Sequence, residues 1–574
     1  MALFCRKRLA ALDLDTSDSF DCYDAMGHGL YQQRLFSLSF AFSLYVHCSI
    51  LVFYLISSDV DHWCRPPADW PLSVAEWRNS AIPLAADGRP SRCTVYKYPG
   101  DPNDTDVTTC GHWDYDPKNK KRTVVSTWNL VCKRRFLVAV IQVVQLAGFI
   151  LLPSIGGYMM DRVGRRPILL LSSAAFIIST CGGCFANTFA LYVTIRFFNS
   201  ACVGTGALAS FILAFETTRH EYRTSYGVTV TLLALMISEL WYNVVNEFNL
   251  EWFLLQAVFL SPTALAFLTF WFADESPRWL IFARNMASAE AVMLAAAKMN
   301  NVPLPITSCL LNAVKAEVLK ADERAGTSPV PTENSWANYI PTRALFMFGA
   351  YFSVTFTYLV LLQSSVQQST QTWTRWLSLP SNMLTTLFAY KFIGRVPPLE
   401  LLIWCFAILG SLVCLLSLTL GDPTGVLAQV FYIPAKAIAL AMTVLAGICV
   451  CEVFPTPVRA TALSWSFAVG RMGGVCGTIA AGLKVVGRED LALAISASMM
   501  FLSLAALIRM PGKNTGPTIN IRRISASCSQ SLDHMKMTLE PLDYRKPEKR
   551  RYSHERKKSH SSSLSRRRHS FWDA

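Results

Sequence analysis

Twelve apolar runs, each long enough to cross a bilayer, constrain the fold of this chain more than any other feature. A spanning helix needs about 20 mostly apolar residues, and lipid requires every backbone polar group to be satisfied internally. A polar stretch at 274–343 divides the runs six and six. The sequence therefore predicts an all-α membrane protein built from two six-helix bundles. The runs are 34–57, 136–160, 168–186, 189–214, 226–246, 252–273, 344–364, 374–393, 399–420, 429–451, 461–483 and 491–509.

Composition supports the membrane class, because only 16% of the 574 residues are charged and 52% are hydrophobic. The first run is not predicted to be a cleavable signal peptide. It is longer than a signal core, lies well inside the chain and lacks a small-x-small cleavage site.

Basic residues predict the orientation. Short segments on one side of the predicted bundle carry Arg and Lys, whereas the short turns on the other side are neutral or acidic. Lys133 to Arg135 are an exception, but they lie in a long loop, where the positive-inside rule is weaker. The net charge of +14 is thus a topology signal and does not predict nucleic-acid binding. The predicted regions are a cytoplasmic N-terminus at 1–33, a first bundle at 34–273 with an extracellular loop at 58–135, a central cytoplasmic loop at 274–343, a second bundle at 344–509 and a basic cytoplasmic tail at 510–574.

A short charged hairpin joins the second and third runs. Its D-x-x-G-R-R-P pattern places Asp161 beside Arg165 and Arg166 at the membrane surface. Gly164 permits a sharp turn, and Pro167 suits the first turn of the next helix. The simplest interpretation is a turn with basic anchors.

The hairpin resembles the loop 2–3 signature of the major facilitator superfamily, where this loop helps latch one conformation of an alternating-access transporter. Two further motifs resemble the organic-ion branch of that superfamily, the solute carrier 22-like transporters: D-E-S-P-R-W-L from Asp274 and E-V-F-P-T-P-V-R from Glu452. Only the first residue of the former motif, usually proline, differs. The resemblance covers about 20–510 and implies rocker-switch movement of a small organic ion. The latch residues it indicates are Asp161, Gly164, Arg165, Arg166, Glu216, Arg223, Glu275, Arg278, Glu452 and Arg459, with Glu452 and Arg459 expected to pair.

The second half repeats the hairpin less faithfully. Lys391 stands where an acid is expected, and Val396 replaces the second arginine. This departure indicates either unusual gating or a protein that no longer transports.

The predicted outer loop carries four cysteines in an oxidising compartment, which predicts two disulfides of open pairing. Asn103 begins a glycosylation acceptor. No metal site is predicted, because the His and Cys spacings fit no zinc pattern. The loop resembles the large glycosylated loop of the organic-ion branch, although Asn129 replaces the usual Asp and that branch often has six loop cysteines. The four are Cys64, Cys93, Cys110 and Cys132.

Arg196 and Glu239 are charged residues inside predicted spans of the first half, where a charge is costly and by default suggests a functional site. Arg196 resembles an arginine of the superfamily that braces helices or aids coupling, and a purely structural bond to a backbone carbonyl is the equal alternative. Glu239 pairs with Arg196, meets a cationic group or faces water; the sequence leaves these three open.

The substrate pocket is predicted near the midplane between the two halves. Tyr351, Phe352 and Tyr358 offer aromatic surface, and the two tyrosines share one helical face. The alternative is that these rings pack helices or face lipid. Lys436 and Arg471 offer positive charge to a carboxylate. By resemblance, cation carriers have an acid where Arg471 stands and anion or carnitine-type carriers have arginine, which favours an anion or zwitterion.

The tail after 510 is rich in Ser, Lys and Arg, which predicts disorder. It is expected either to contact anionic lipid or a kinase, or to be a solvated tail that fixes orientation.

These features together predict a secondary-active or facilitative transporter of the plasma membrane that moves small organic ions. The sequence shows neither a phosphate-binding loop nor a nucleophile–base set, so it predicts no ATP-driven step, enzyme activity or cofactor. The alternative is a non-transporting receptor-like or orphan surface protein on the same scaffold, which Lys391 and the shortened cysteine set favour. Saturable uptake separates the two.

Overall fold

The computed structural model describes most of the chain between residues 26 and 510. The described ranges are 26–57, 60–67, 73–84, 90–97, 106–115, 122–248, 250–302, 334–364, 396–419, 426–454, 456–483 and 487–510, with isolated positions between 380 and 387. Asn103, Lys391, nearly all of the eighth run and the tail after 510 lie outside the described residues.

Ten helices within these ranges are long and apolar enough to cross a membrane. An eleventh helix, Thr456–Ala481, has 26 residues but is richer in glycine, serine and threonine. The helices are α1 Leu30–Ile56, α2 Val74–Ser80, α3 Val124–Thr127, α4 Phe136–Val163, α5 Arg165–Cys184, α6 Phe189–Glu216, α7 His220–Asn246, α8 Trp252–Leu260, α9 Thr269–Phe272, α10 Pro277–Phe282, α11 Met286–Met299, α12 Asn334–Leu362, α13 Pro398–Leu418, α14 Val426–Val453, α15 Thr456–Ala481 and α16 Glu489–Ile508.

The sixth predicted span is not one regular helix. A 3-10 segment, Ser261–Leu268, separates α8 from α9, and Pro262 lies in its first turn. Because proline has no backbone N–H to donate, it weakens the helical hydrogen-bond pattern at this point.

Helices α1 and α4 to α9 form the first half, and α12 to α16 form the described part of the second half. Helix α15 is central, since it packs on α12 in its own half and on α4 in the other. Helices α7 and α14 make a second contact between the halves. A shared core of buried apolar side chains runs through both halves.

Small residues let α15 approach its neighbours closely. A Cβ atom added at Gly473 or Gly477 would collide with the backbone carbonyls of Phe352 and Phe356 on α12. In addition, the Thr355 hydroxyl donates a 2.5 Å hydrogen bond to the Gly470 carbonyl. The backbones of helices α12 and α15 are therefore in direct contact, which small residues permit between membrane helices.

Gly157 gives the same close approach between the halves, and this predicts a sensitive position. A Cβ atom at Gly157 on α4 would collide with Ser464 and the Ala460 carbonyl on α15. We expect Gly157→Ala to destabilise the protein by about 1–3 kcal/mol through overpacking. Gly349→Ala on α12 is the matched control, because its Cβ would meet no atom of the described residues within 4 Å.

Thermal unfolding of the two purified full-length variants checks this prediction. The melting temperature should fall by a few degrees for Gly157→Ala and should be unchanged or raised for Gly349→Ala, since alanine favours helices. Equal melting temperatures would contradict the tight α4–α15 contact.

The loop between α1 and α4 contains two small antiparallel sheets. Strand β1 (His62–Cys64) pairs with β4 (Trp113–Tyr115), and β2 (Thr94–Tyr96) pairs with β3 (Val107–Thr109). Disulfides join Cys64 to Cys110 and Cys93 to Cys132. All four predicted cysteines are thus paired, and Cys132 ties the loop to the segment that leads into α4.

Candidate functional site

Charged side chains cluster at one end of the bundle, which we call the latch end. It comprises the α4–α5 turn, the C-terminus of α6, the segment before α10 and the N-terminus of α15. Here the two halves meet through hydrogen bonds, and most of the charged groups involved are buried.

Asp161 at the end of α4 binds directly to the other half. Its carboxylate accepts hydrogen bonds from the Thr461 backbone N–H at 2.8 Å, the Thr461 hydroxyl at 2.7 Å and the Ala460 N–H at 3.3 Å. It also forms an ion pair with Arg165 at 3.2 Å. Since α15 begins at Thr456, Asp161 holds the start of a second-half helix.

Glu216 joins two buried arginines, one from each half. Its Oε1 lies 3.2 Å from Arg165 Nη2 and 3.0 Å from Arg459 Nη1. Arg165 is fully buried and also donates to the Thr456 carbonyl at 2.9 Å. The expected partnership of Arg459 with Glu452 is therefore not the one found: Arg459 reaches across to Glu216 and donates its Nε to the Cys451 carbonyl at 2.8 Å. The reason is geometric, because α15 packs against the first half at this end.

Glu275 caps the N-terminus of α5. It accepts the backbone N–H groups of Arg165 at 3.0 Å, Arg166 at 3.0 Å and Ser276 at 2.9 Å. Burial raises the pKa of Glu275, and these backbone hydrogen bonds oppose that shift. Gly164 is held at a φ of 122°, where a Cβ would meet Glu275 and Trp279, so the turn requires glycine.

Four further residues were predicted to belong to the latch. Arg166 donates its Nε to the Ala273 carbonyl at 2.8 Å. Arg223 donates its Nε to Thr218 at 2.7 Å and lies 4.9 Å from the Phe215 ring. Arg278 and Glu452 are each half-buried, on α10 and α14, and have polar interactions of their own.

A cavity of about 280 Å³ lies between the two halves. Its walls come from α1, α4, α6 and α7 on one side and from α12, α14 and α15 on the other, and they are mostly apolar. Tyr351, Tyr358 and Arg471 line it, as does Glu239. Among the predicted pocket residues, Phe352 and Lys436 do not: Phe352 stacks on Phe356, and Lys436 is buried elsewhere in α14.

Arg471 is the cation of the cavity wall. Its guanidinium carbon lies 4.9 Å from the ring centre of Phe149 on α4 and 4.6 Å from that of Phe467 on α15. Within the described part of the chain, no carboxylate lies within ion-pair distance of Arg471. A cation held by two aromatic faces and lacking an anion is a suitable binding group for a ligand carboxylate.

His47 is a cavity residue that the sequence did not predict. It lies on α1, lines the cavity and interacts electrostatically with Arg471. Its Nδ1 lies 2.6 Å from the Ser43 carbonyl, which leaves the Nε2 side of the ring for the cavity. A lone histidine in an apolar run gives no signal of its own, and helical spacing from other polar positions was the only available cue.

Arg196 is a brace between helices of the first half. Its Nη2 donates to the Ser49 carbonyl at 2.9 Å and to Gln145 Oε1 at 2.7 Å, joining α6 to α1 and α4. It does not pair with Glu239. The bracing of helices and the bond to a backbone carbonyl, which the sequence offered as alternatives, are found together.

This geometry predicts that Arg196→Ala destabilises the protein. Gln145 Oε1 would lose its donor, which costs about 1–3 kcal/mol in a buried site, whereas the Ser49 carbonyl keeps a hydrogen bond from Gln145 Nε2 at 2.9 Å. Arg162→Ala is the control, since Arg162 is exposed and lies over Tyr158 at 4.3 Å. The measurement is the monodisperse fraction on size-exclusion chromatography and the melting temperature, both of which should fall only for Arg196→Ala.

Comparison with known proteins agrees with this architecture. Residues 118–483 match the family described as sugar (and other) transporter. The chain is 24% identical over 452 residues to solute carrier family 22 member 7 of Mus musculus, covering 74% of this chain and 81% of that one. It is 29% identical over 249 residues to organic anion transporter 3 of Pongo abelii, where the match spans 42% of this chain and only 44% of the relative.

A solved structure of the major facilitator superfamily proton:xylose symporter XylE, bound to 6-bromo-6-deoxy-D-glucose, has the same fold. The two superpose with a TM-score of 0.58 at 14% identity, covering 86% of this chain and 99% of XylE. At this identity the likeness establishes the fold alone, and it confirms the predicted arrangement of two helical bundles.

Proposed function

The chain belongs to the sugar (and other) transporter family of the major facilitator superfamily, and we propose that it moves small organic anions or zwitterions across the plasma membrane by alternating access. Transport as such, and the absence of enzyme activity, follow from the family and from the transporters among its relatives. Our proposal adds three points: the substrate is an anion or zwitterion, transport occurs by alternating access, and the membrane is the plasma membrane.

The observation that carries the substrate charge is Arg471. It lies in the cavity between the halves, is held by Phe149 and Phe467, and has no ion-pair partner among the described residues. A ligand carboxylate would make charge-assisted hydrogen bonds there, in a mostly apolar surrounding where such bonds are strong. One of the relatives is an organic anion transporter by name, which agrees with this charge.

The latch supports the alternating-access mechanism. Asp161 and Glu216 of the first half bind Thr461 and Arg459 of the second half and close the bundle at that end. A central cavity closed at one end is one of the two arrangements that alternating access requires. The positive-inside pattern favours a cytoplasmic location for the latch end and for both chain termini.

Uptake by cells or oocytes expressing the full chain tests the proposal. Labelled organic anions, cations and zwitterions would be compared at equal surface expression. Saturable uptake of anions or zwitterions is the expected result. Preference for cations would overturn the proposed substrate charge, and no uptake of any class would favour the receptor-like alternative.

A further inference from the structure

Glu239 lies on α7 and lines the same cavity as Arg471 on α15. It thus brings a carboxylate of the first half to the cavity that also contains the cation of the second half. A carboxylate inside a membrane span is costly and is retained where it has a task.

The two charges do not neutralise each other. Arg471 has no ion pair with Glu239, although both interact electrostatically with Tyr358, which lies on α12. Glu239 also interacts with Tyr432 on α14 and keeps polar contacts with its surroundings. The cavity is therefore bipolar, with Tyr358 within electrostatic range of both its poles.

The wall near the acid is aromatic. Tyr54 and Tyr358 interact electrostatically with each other, and Tyr54 also accepts a hydrogen bond from Gln142 at 2.9 Å. Aromatic rings beside a carboxylate are a suitable environment for an ammonium group, which binds ring faces through cation–π contacts. In a mostly apolar cavity, both charges of a ligand would interact strongly with these groups.

We propose that Glu239 binds the cationic group of a zwitterionic substrate whose carboxylate is bound by Arg471. This inference rests on the proposed function and specifies the substrate class. It makes Glu239 the residue that distinguishes zwitterions from simple anions. A plain anion would satisfy Arg471 but would bring no cationic group to Glu239.

The test uses a matched pair of ligands: a trimethylammonium butanoate betaine and its isostere, in which a quaternary carbon replaces the nitrogen. The two have the same shape and carboxylate and differ in the positive charge. Uptake of both would be measured for the wild type, for Glu239→Gln and for Glu247→Gln, the last being an exposed acid just after α7. We expect Glu239→Gln to reduce betaine uptake at least about tenfold and to leave uptake of the carbon isostere within about twofold.

Three results would overturn the inference: unchanged betaine uptake in Glu239→Gln, an equal loss of both ligands, or an equal loss in Glu247→Gln. An equal loss of both ligands in Glu239→Gln alone would assign the acid to folding or to ion coupling. Binding is measured separately, as the shift in melting temperature of purified full-length protein with each ligand. If nothing is taken up, the proposed function fails. The inference about Glu239 is then tested by binding alone. Loss of the betaine-induced shift in melting temperature in Glu239→Gln would support it, and an unchanged shift would overturn it.

Discussion

Replacing Arg471 by alanine is expected to reduce uptake of anionic or zwitterionic substrates by about a hundredfold. A charge-assisted hydrogen bond contributes roughly 1.5–3 kcal/mol, and each 1.4 kcal/mol corresponds to a factor of ten. Arg471→Lys keeps the charge but loses the planar, two-pronged donor geometry, so it should retain part of the uptake. Initial rates of labelled uptake, normalised to surface expression, check the prediction.

The chain offers a matched control for this experiment. Lys436→Met also removes one positive charge from the second half, but Lys436 does not line the cavity. It should retain far more uptake than Arg471→Ala. Equal losses in both variants would mean that total charge of the second half, and not the cavity cation, determines uptake.

Glu216→Gln is expected to open the latch and slow turnover at least tenfold. It leaves the buried Arg165 and Arg459 without the carboxylate they share. Removing one partner of a buried ion pair costs about 3–5 kcal/mol, which is enough to shift a two-state equilibrium by more than a hundredfold. The closed arrangement should therefore lose population.

Cys451 provides a native reporter of this opening. It is fully buried, is a free cysteine, and its carbonyl accepts a hydrogen bond from Arg459. Maleimide labelling read out by peptide mass spectrometry should be faster at Cys451 in Glu216→Gln than in the wild type. Asp490→Asn is the control, because it removes a carboxylate from an exposed pair with Arg488. Unchanged labelling of Cys451 in Glu216→Gln would show that Glu216 does not hold this end closed.

The sequence predicted the helical bundles well, because spanning runs are local signals, and its charged motifs named residues that the structure brings together at one end of the bundle. It did not predict the partner of Arg459. Motif spacing suggested Glu452 on the adjacent helix, whereas the packing of α15 against the first half brings Arg459 to Glu216. Which acid an arginine meets depends on contacts between residues 243 positions apart, and no local pattern encodes those.

Within the pocket, helical periodicity correctly predicted which residues line the cavity, whereas adjacency in sequence did not. Tyr351 and Tyr358 are seven residues apart, share a helical face and both line the cavity. Phe352 follows Tyr351 directly, and its side chain points about 100° away, into the helix packing. Lys436 was predicted to line the pocket and does not, because an isolated charge in an apolar helix does not reveal which face of the helix lines the cavity.

The backbone contact between α12 and α15 would limit how the cavity can adapt to a ligand. The carbonyls of Phe352 and Phe356 fill the space where side chains at Gly473 and Gly477 would otherwise stand. Sliding or rotating one helix against the other would drive backbone into backbone, so Arg471 and Tyr351 keep a fixed mutual distance. The part of the second half that lines the cavity is therefore expected to be rigid. If transport proceeds by the proposed alternating access, ligands of different length would be accommodated by the spacing between the two halves, and a larger ligand would leave the halves further apart.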